Sequence, residues 1–139
     1  MYKKILLATD GSEHSLRTTN HAISLATITA DSYIEVVYVK ESTQVKSDTL
    51  HNWNKVGVMN VQEDKVMGIE EDLQKAGISY KTTVLNGEPG PTIVDYANEK
   101  EFDIVIVGSR GLNAFQEMVL GSVSHKVAKR ANCPVLIVK

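Results

Sequence analysis

Several common sources of chemistry are absent from this chain. It has one cysteine, Cys133, so no intramolecular disulfide can form, which fits a reducing compartment. Cys133 stands between Asn132 and Pro134, ahead of an apolar run and with no basic neighbour in the sequence to activate its thiol. It reads as a buried small hydrophobe rather than a nucleophile. No stretch approaches the ~18 apolar residues of a membrane span, and the run from Ile5 to Thr9 is closed by Asp10 before it reaches the length of a secretory signal. Net charge is −2, so there is no basic excess to hold nucleic acid or an anionic membrane. A cytoplasmic protein is expected, with neither nucleic acid nor membrane as partner. The phosphate loop Gly-x4-Gly-Lys-Ser/Thr, the dinucleotide turn Gly-x-Gly-x2-Gly and the nucleophile elbow Gly-x-Ser-x-Gly are all missing. His14, His21, His51 and His125 lack zinc-ligand spacing and read as surface or half-buried side chains. Lys126, Lys129 and Arg130 share one helix face and read as solvated cations complementing a helix dipole in preference to a phosphate site.

What is present is an ordinary globular balance of 139 residues, 42% hydrophobic and 23% charged. That length suits one domain burying roughly two-thirds of its unfolded surface. No repeat, low-complexity tract or linker divides the chain, so one domain over residues 1–139 is expected. Four runs, Ile5 to Thr9, Ile34 to Val39, Ile104 to Val107 and Val135 to Val138, are nearly continuous in Val, Ile and Leu. Strands look like this when both faces of a parallel sheet are covered. Tyr80 to Leu85 alternates more and reads as a weaker strand at an edge.

Helical patterns lie between these runs. Ser12 suits an N-cap ahead of Leu16, Ile23 and Ala26. Val58, Val61, Ile69, Leu73 and Ala76 line one face of a second helix, with Gly77 as its stop. Pro91 fits the first turn of a third, carrying Ile93, Val94 and Ala97. The fourth begins near Ser122, buries Val123 and Val127, and ends before Pro134. The order βαβαβαβαβ predicts an α/β fold: a single doubly wound five-stranded parallel sheet, right-handed crossovers, and helices on both faces. Residues 40–54, polar and carrying Trp53, read as a surface loop or a flexible lid.

Ligands of such sheets bind at the carboxyl ends of the strands, where the winding reverses. Two segments at strand ends draw attention. The first is Thr9-Asp10-Gly11-Ser12, where the Asp10 carboxylate either accepts from a sugar hydroxyl, holds a metal near phosphates, or caps the following turn. The second is Gly108-Ser109-Arg110-Gly111, followed by residues 112–120 and then Gly121-Ser122. Gly108 lets a ligand approach the backbone, Gly111 lets the chain double back, and Gly121-Ser122 opens a helix whose first N–H groups are unpaired. Together these make an anion-binding nest at a positive dipole end, with the hydroxyls of Ser122 and Ser124 as further donors. Arg110 either reaches a phosphate or sits on the surface of the loop.

The pattern Gly-x2-Gly-x9-Gly-Ser at Gly108, Gly111, Gly121 and Ser122 resembles the nucleotide-binding signature of the universal stress protein family. The likeness runs the length of the chain: Lys4-Ile5-Leu6-Leu7-Ala8-Thr9-Asp10-Gly11-Ser12, the Gly87-Glu88-Pro89 turn, Val107 to Gly111, and Gly121 to His125 through Cys133 to Val138. The resemblance implies ATP, accompanied by Mg²⁺. By motif match, Asp10 contacts ribose, Ala8 and Thr9 line the pocket, and Val39 offers backbone groups to adenine. Val107 and Gly108 floor the site, while Gly111, Gly121, Ser122 and Val123 hold the phosphates. Ala8 stands where many relatives carry proline or valine, a change that loosens the adenine contact. The resemblance also implies a homodimer through the last strand, Val135 to Val138, which left unpaired is an exposed apolar edge.

No general base with an orienting partner is found, so an efficient enzyme is not expected. Slow ATP hydrolysis stays open, because metal and amide donors stabilise a transition state without a dedicated base. Two other readings stand beside the ATP-binding stress module. In one, the chain is a nucleotide-independent dimeric interaction protein whose glycines only shape turns. In the other, it is a phosphoacceptor domain with Asp10 at the end of strand one; there the third strand ends in Asn86, not an aspartate, and the last strand lacks a following lysine loop.

Overall fold

In the strand Tyr33–Lys40, Val36 and Val37 point to opposite faces and both are fully buried, which requires cover on both sides of the sheet. The computed structural model describes residues 2–9, 14–40, 61–109 and 121–139, with side chains over the same stretches apart from 14–15 and 61–65. Its elements follow the chain as β1 (Lys4–Thr9), α1 (His14–Ile28), β2 (Tyr33–Lys40), α2 (Val61–Lys75), β3 (Ser79–Asn86), α3 (Pro89–Glu99), β4 (Ile104–Gly108), α4 (Ser122–Arg130) and β5 (Val135–Val138). The strands form one parallel sheet in the order β3-β2-β1-β4-β5. The α/β fold read from the alternation is the fold observed, and the weakly patterned strand is at an edge.

The winding explains which helix covers which face. From β1 the chain steps outward to β2 and β3, then returns across the sheet to β4 and steps outward again to β5. Right-handed crossovers in opposite directions place their helices on opposite faces. Accordingly Ala22 and Ala26 of α1 and Val66, Ile69 and Leu73 of α2 pack with Ile5, Leu7, Ile34, Val36 and Ile106. Ile93, Val94 and Ala97 of α3 and Val127 of α4 pack on the other side with Leu6, Val37, Val39, Val105 and Val107.

Helix ends follow local chemistry. At the end of α2 the Gly77 N–H donates to Gln74 O at 3.1 Å and the Ile78 N–H to Leu73 O at 3.0 Å. With Gly77 at φ +70, this is a Schellman stop, and Ile78 packs on the cluster that holds Leu73. Pro91 falls in the first turn of the third helix as expected, and Pro89 takes the first position, where its missing N–H costs nothing. Three apolar expectations need correction, the first being Ala76, which is exposed one residue beyond the end of α2. Leu16 is 54% exposed, because α1 buries the face of Thr18, Thr19, Ala22 and Ala26 instead. Val123 is only half-buried, while Val127 one turn on is fully buried. Ser12, Val58, His51, Trp53 and the 40–54 loop beyond Lys40 lie outside the described residues, as does the side chain of Val61.

Sequence reading missed one polar feature altogether. Glu35 interrupts the β2 run yet is 5% exposed. Its carboxylate accepts from the Thr83 hydroxyl at 2.9 Å and from the Tyr96 hydroxyl, so β2, β3 and α3 meet on one buried acceptor. A charge inside an otherwise apolar run was the available signal.

Candidate functional site

All five carboxyl ends lie on one rim. Thr9 pairs in register with Tyr38, Lys40 with Asn86, and Gly108 with Val138. The register Leu7 to Ile106, carried two residues on, sets Thr9 level with Gly108. The winding reverses between β1 and β4, so the ends of these two strands flank the crevice where open parallel sheets bind ligands.

The amino end of α4 is brought to this crevice by backbone hydrogen bonds. The Ser109 N–H donates to Val138 O at 2.7 Å, and the Gly121 N–H donates to Ser109 O at 2.9 Å. Residues on either side of the 110–120 segment therefore meet at the end of β4. Gly121 is the N-cap, extended at φ −60 and ψ 155, and among the described residues no side chain caps the helix. The first intrahelical bond is from the His125 N–H to Gly121 O at 3.0 Å. The N–H groups of Ser122, Val123 and Ser124 lie ahead of it, at the positive end of the helix dipole. An uncapped start of this kind accepts an anion, and phosphate oxygens match its donors.

The two serines of this turn face differently. Ser122 is exposed, whereas Ser124 is 1% exposed, with its hydroxyl 3.0 Å from Gly121 O and 3.4 Å from Ser109 O. Positions two apart on a helix differ by about 200°, which puts Ser124 on the inner side with Val127. Val107 is buried in the sheet beneath, Gly108 is half-buried at the end of β4, and Ser109 is 8% exposed. Across the crevice Ala8 is half-buried against the α3–α4 core, Thr9 ends β1, and Val39 is 8% exposed near the end of β2. Ala8, Thr9, Val39, Val107, Gly108, Gly121, Ser122, Val123 and Ser124 thus gather at or under one rim. Asp10, Arg110 and Gly111 lie outside the described residues.

His125 and His21 are exposed. Lys126 does not act with Lys129 and Arg130: it pairs with Glu88 at 3.0 Å, while the other two occupy the last turn of α4. Among the described residues no group of three His, Cys, Asp or Glu is placed to hold a metal. Cys133 is half-buried, and desolvation pushes its thiol above the usual cysteine range, the opposite of activation. No described helix is long and apolar enough to cross a membrane.

Sequence reading also missed what holds α4 in place. Glu88, at the N-cap of α3, reaches Lys126, and the buried Gly90 lies under the Lys126 stem. Asn98 accepts from the Asn132 N–H at 2.9 Å and donates to Arg130 O at 3.4 Å. Of these only the Gly87-Glu88-Pro89 turn carried a signal in the sequence.

Comparison with known proteins adds an independent line. The model of the universal stress protein family matches residues 1–139. The chain is 34% identical to universal stress protein YxiE of Bacillus subtilis over the whole of both proteins. It is 32% identical to universal stress protein MJ0531 of Methanocaldococcus jannaschii, covering all of this chain and 83% of that one. The solved structure of MJ0577 superposes with a TM-score of 0.85 at 33% identity, over 100% of this chain and 96% of that chain. A universal stress protein in complex with cAMP (TM-score 0.71, 24% identity, 99% and 97% covered) and an Arabidopsis thaliana family protein with AMP bound (0.69, 19%, 98% and 91%) share the fold.

Proposed function

Because the chain belongs to the universal stress protein family, we propose that it is an adenine-nucleotide-binding regulatory module whose ligand is ATP with Mg²⁺. The observation that carries this reading is the uncapped start of α4, bonded through Gly121 to the end of β4 beside the end of β1. The N–H groups of Ser122 and Val123 receive the phosphates, the Ser122 hydroxyl adds a donor, and Gly108 and Val107 form the floor. Arg110 and Gly111 complete the phosphate side. Ala8, Thr9 and Asp10 take the ribose side, and the backbone at Val39 takes adenine. Mg²⁺ is held chiefly by phosphate oxygens and water, as suits an ion that keeps much of its hydration. Two proteins of the same fold, the ones described with cAMP and with AMP, hold adenine nucleotides.

Nucleotide acts here by population shift, favouring whichever arrangement of the rim it contacts better. The module functions as a homodimer through β5, an edge strand with Val135, Leu136 and Ile137 half-buried. Hydrolysis, where it occurs, is slow.

Isothermal titration with Mg-ATP tests the reading. Heat with saturation in the micromolar to millimolar range is expected, and no heat at millimolar nucleotide refutes it. Gly121→Val keeps an extended N-cap backbone that any residue adopts, but sets a branched side chain among the donors. It abolishes the binding, and a variant that binds as the parent does would remove α4 from the site.

A further inference from the structure

We infer that Ser124 is a positioning residue: it fixes the start of α4 on the end of β4 and does not itself touch the ligand. The inference rests on the nucleotide reading above for its functional consequence, although its geometry stands alone. Ser124 is 1% exposed, in a turn whose neighbour Ser122 faces out. Its hydroxyl lies 3.0 Å from Gly121 O and 3.4 Å from Ser109 O, between the two residues that bracket the 110–120 segment. Those residues are already joined by the Gly121 N–H to Ser109 O bond at 2.9 Å, and Ser109 is anchored through its N–H to Val138 O at 2.7 Å. A chain of bonds therefore runs from β5 through the end of β4 to the helix start, and Ser124 closes its last link.

The energetics separate positioning from bulk stability. One hydroxyl proton serves one carbonyl at a time: the 3.0 Å contact to Gly121 O stays within the first turn of α4, and the 3.4 Å contact to Ser109 O is the one that crosses to the end of β4. Gly121 O keeps the His125 N–H as a donor, and Ser109 O keeps the Gly121 N–H, when the hydroxyl is removed. Ser124→Ala therefore strands no buried carbonyl, so the large penalty of an unsatisfied group does not arise. What is lost is the cross-link from the first turn of α4 to Ser109 O, which adds to the Gly121 N–H in keeping the N–H groups of Ser122 and Val123 in place on the strand end.

The experiment follows the Gly121 amide by hydrogen exchange in nucleotide-free protein, and Mg-ATP affinity by titration. In Ser124→Ala the Gly121 amide exchanges about twofold faster and Mg-ATP binds about twofold more weakly, the low end of the worth of one net hydrogen bond. The control is Ala26→Gly in α1, on the opposite face of the sheet. It lowers the melting temperature at least as much and leaves both readouts at their parental values. Parental exchange at Gly121 in Ser124→Ala, or an equal change in the Ala26→Gly control, overturns the inference. Faster exchange with unaltered affinity also overturns it, since the tie would then not serve the site. A parent protein that binds no Mg-ATP sinks the nucleotide reading, while Gly121 exchange still decides whether Ser124 holds the helix start.

Discussion

Replacing Gly87 with alanine probes the turn that links β3 to the helix bracing α4. Gly87 sits at φ +141, and a Cβ there would lie 2.6 Å from Thr92 Oγ1. Gly77 is the natural comparison, because its φ is +70 and a Cβ would meet nothing within 4 Å. At Gly77 alanine suffers only the left-handed backbone cost of roughly 1–2 kcal/mol, offset by about 0.4–1 kcal/mol from a stiffer unfolded chain. A net loss of about 1 kcal/mol is expected, near 4 °C in melting temperature for a domain of this size. At Gly87 the backbone cost is that of a region essentially reserved for glycine, roughly 1–3 kcal/mol, and overpacking against Thr92 adds roughly 1–3 kcal/mol. The expected loss is about 3 kcal/mol, read by urea unfolding of both variants at one pH.

The cycle with Thr92→Ala separates the two parts: removing Oγ1 recovers the steric share in Gly87→Ala and leaves the backbone share. Gly87 also donates its N–H to Lys40 O at 2.9 Å, and Glu88 next to it pairs with Lys126 of α4. Surviving Gly87→Ala protein therefore binds Mg-ATP more weakly than Gly77→Ala does at matched fraction folded. Equal stability losses at the two glycines, or full recovery by Thr92→Ala, would refute the reasoning.

Two further outcomes follow from the same geometry. Burial, and then the neighbouring Glu35 carboxylate, raise the phenols of Tyr33 and Tyr96 above their usual 10.0. The folded state thus holds its phenolic protons to higher pH than the unfolded chain does. Stability is complete below pH 10 and falls as pH climbs through the folded values; urea unfolding from pH 8 to 11.5 should show the fall, shallower in Tyr96→Phe. At the other edge of the sheet, Ile137→Lys puts a charge on β5 and converts a dimer to monomer in sedimentation, and a parent protein already monomeric at high concentration would count against the β5 interface.

The readable part of this fold is the part governed by nearest neighbours in the chain. Continuous Val and Ile runs mark strands covered on both faces, and Gly77 ends α2 because only its own backbone needs φ +70. The glycine pair at Gly108 and Gly121 was legible for the same reason, as was the edge position of the alternating β3. Leu16 was misread because helical spacing fixes which residues share a face without saying which face meets the sheet; small residues such as Ala22 and Ala26 let α1 approach closely. Glu35 was passed over because its partners, Thr83 and Tyr96, arrive from other elements.

The candidate rim divides along the same line. The donors are local: any chain beginning a helix at Gly121 without a side-chain cap offers the N–H groups of Ser122 and Val123. Their usefulness is not local. A polyphosphate gains from such donors only if they are already in place, since ordering them on binding would subtract from affinity. That placement comes from Ser109, whose N–H is held by β5 and whose carbonyl takes the Gly121 N–H, and from Glu88, Gly90 and Asn98 on α3. The exposed Lys126–Glu88 pair contributes at most about 1 kcal/mol to the fold. The bracing therefore rests mainly on the buried contacts, Gly90 beneath the Lys126 stem and Ser124 beneath the helix start. Signature glycines and serines in a sequence mark where an anion can sit; the residues that decide how well it is held come from elements separated from them along the chain and are joined only by the sheet.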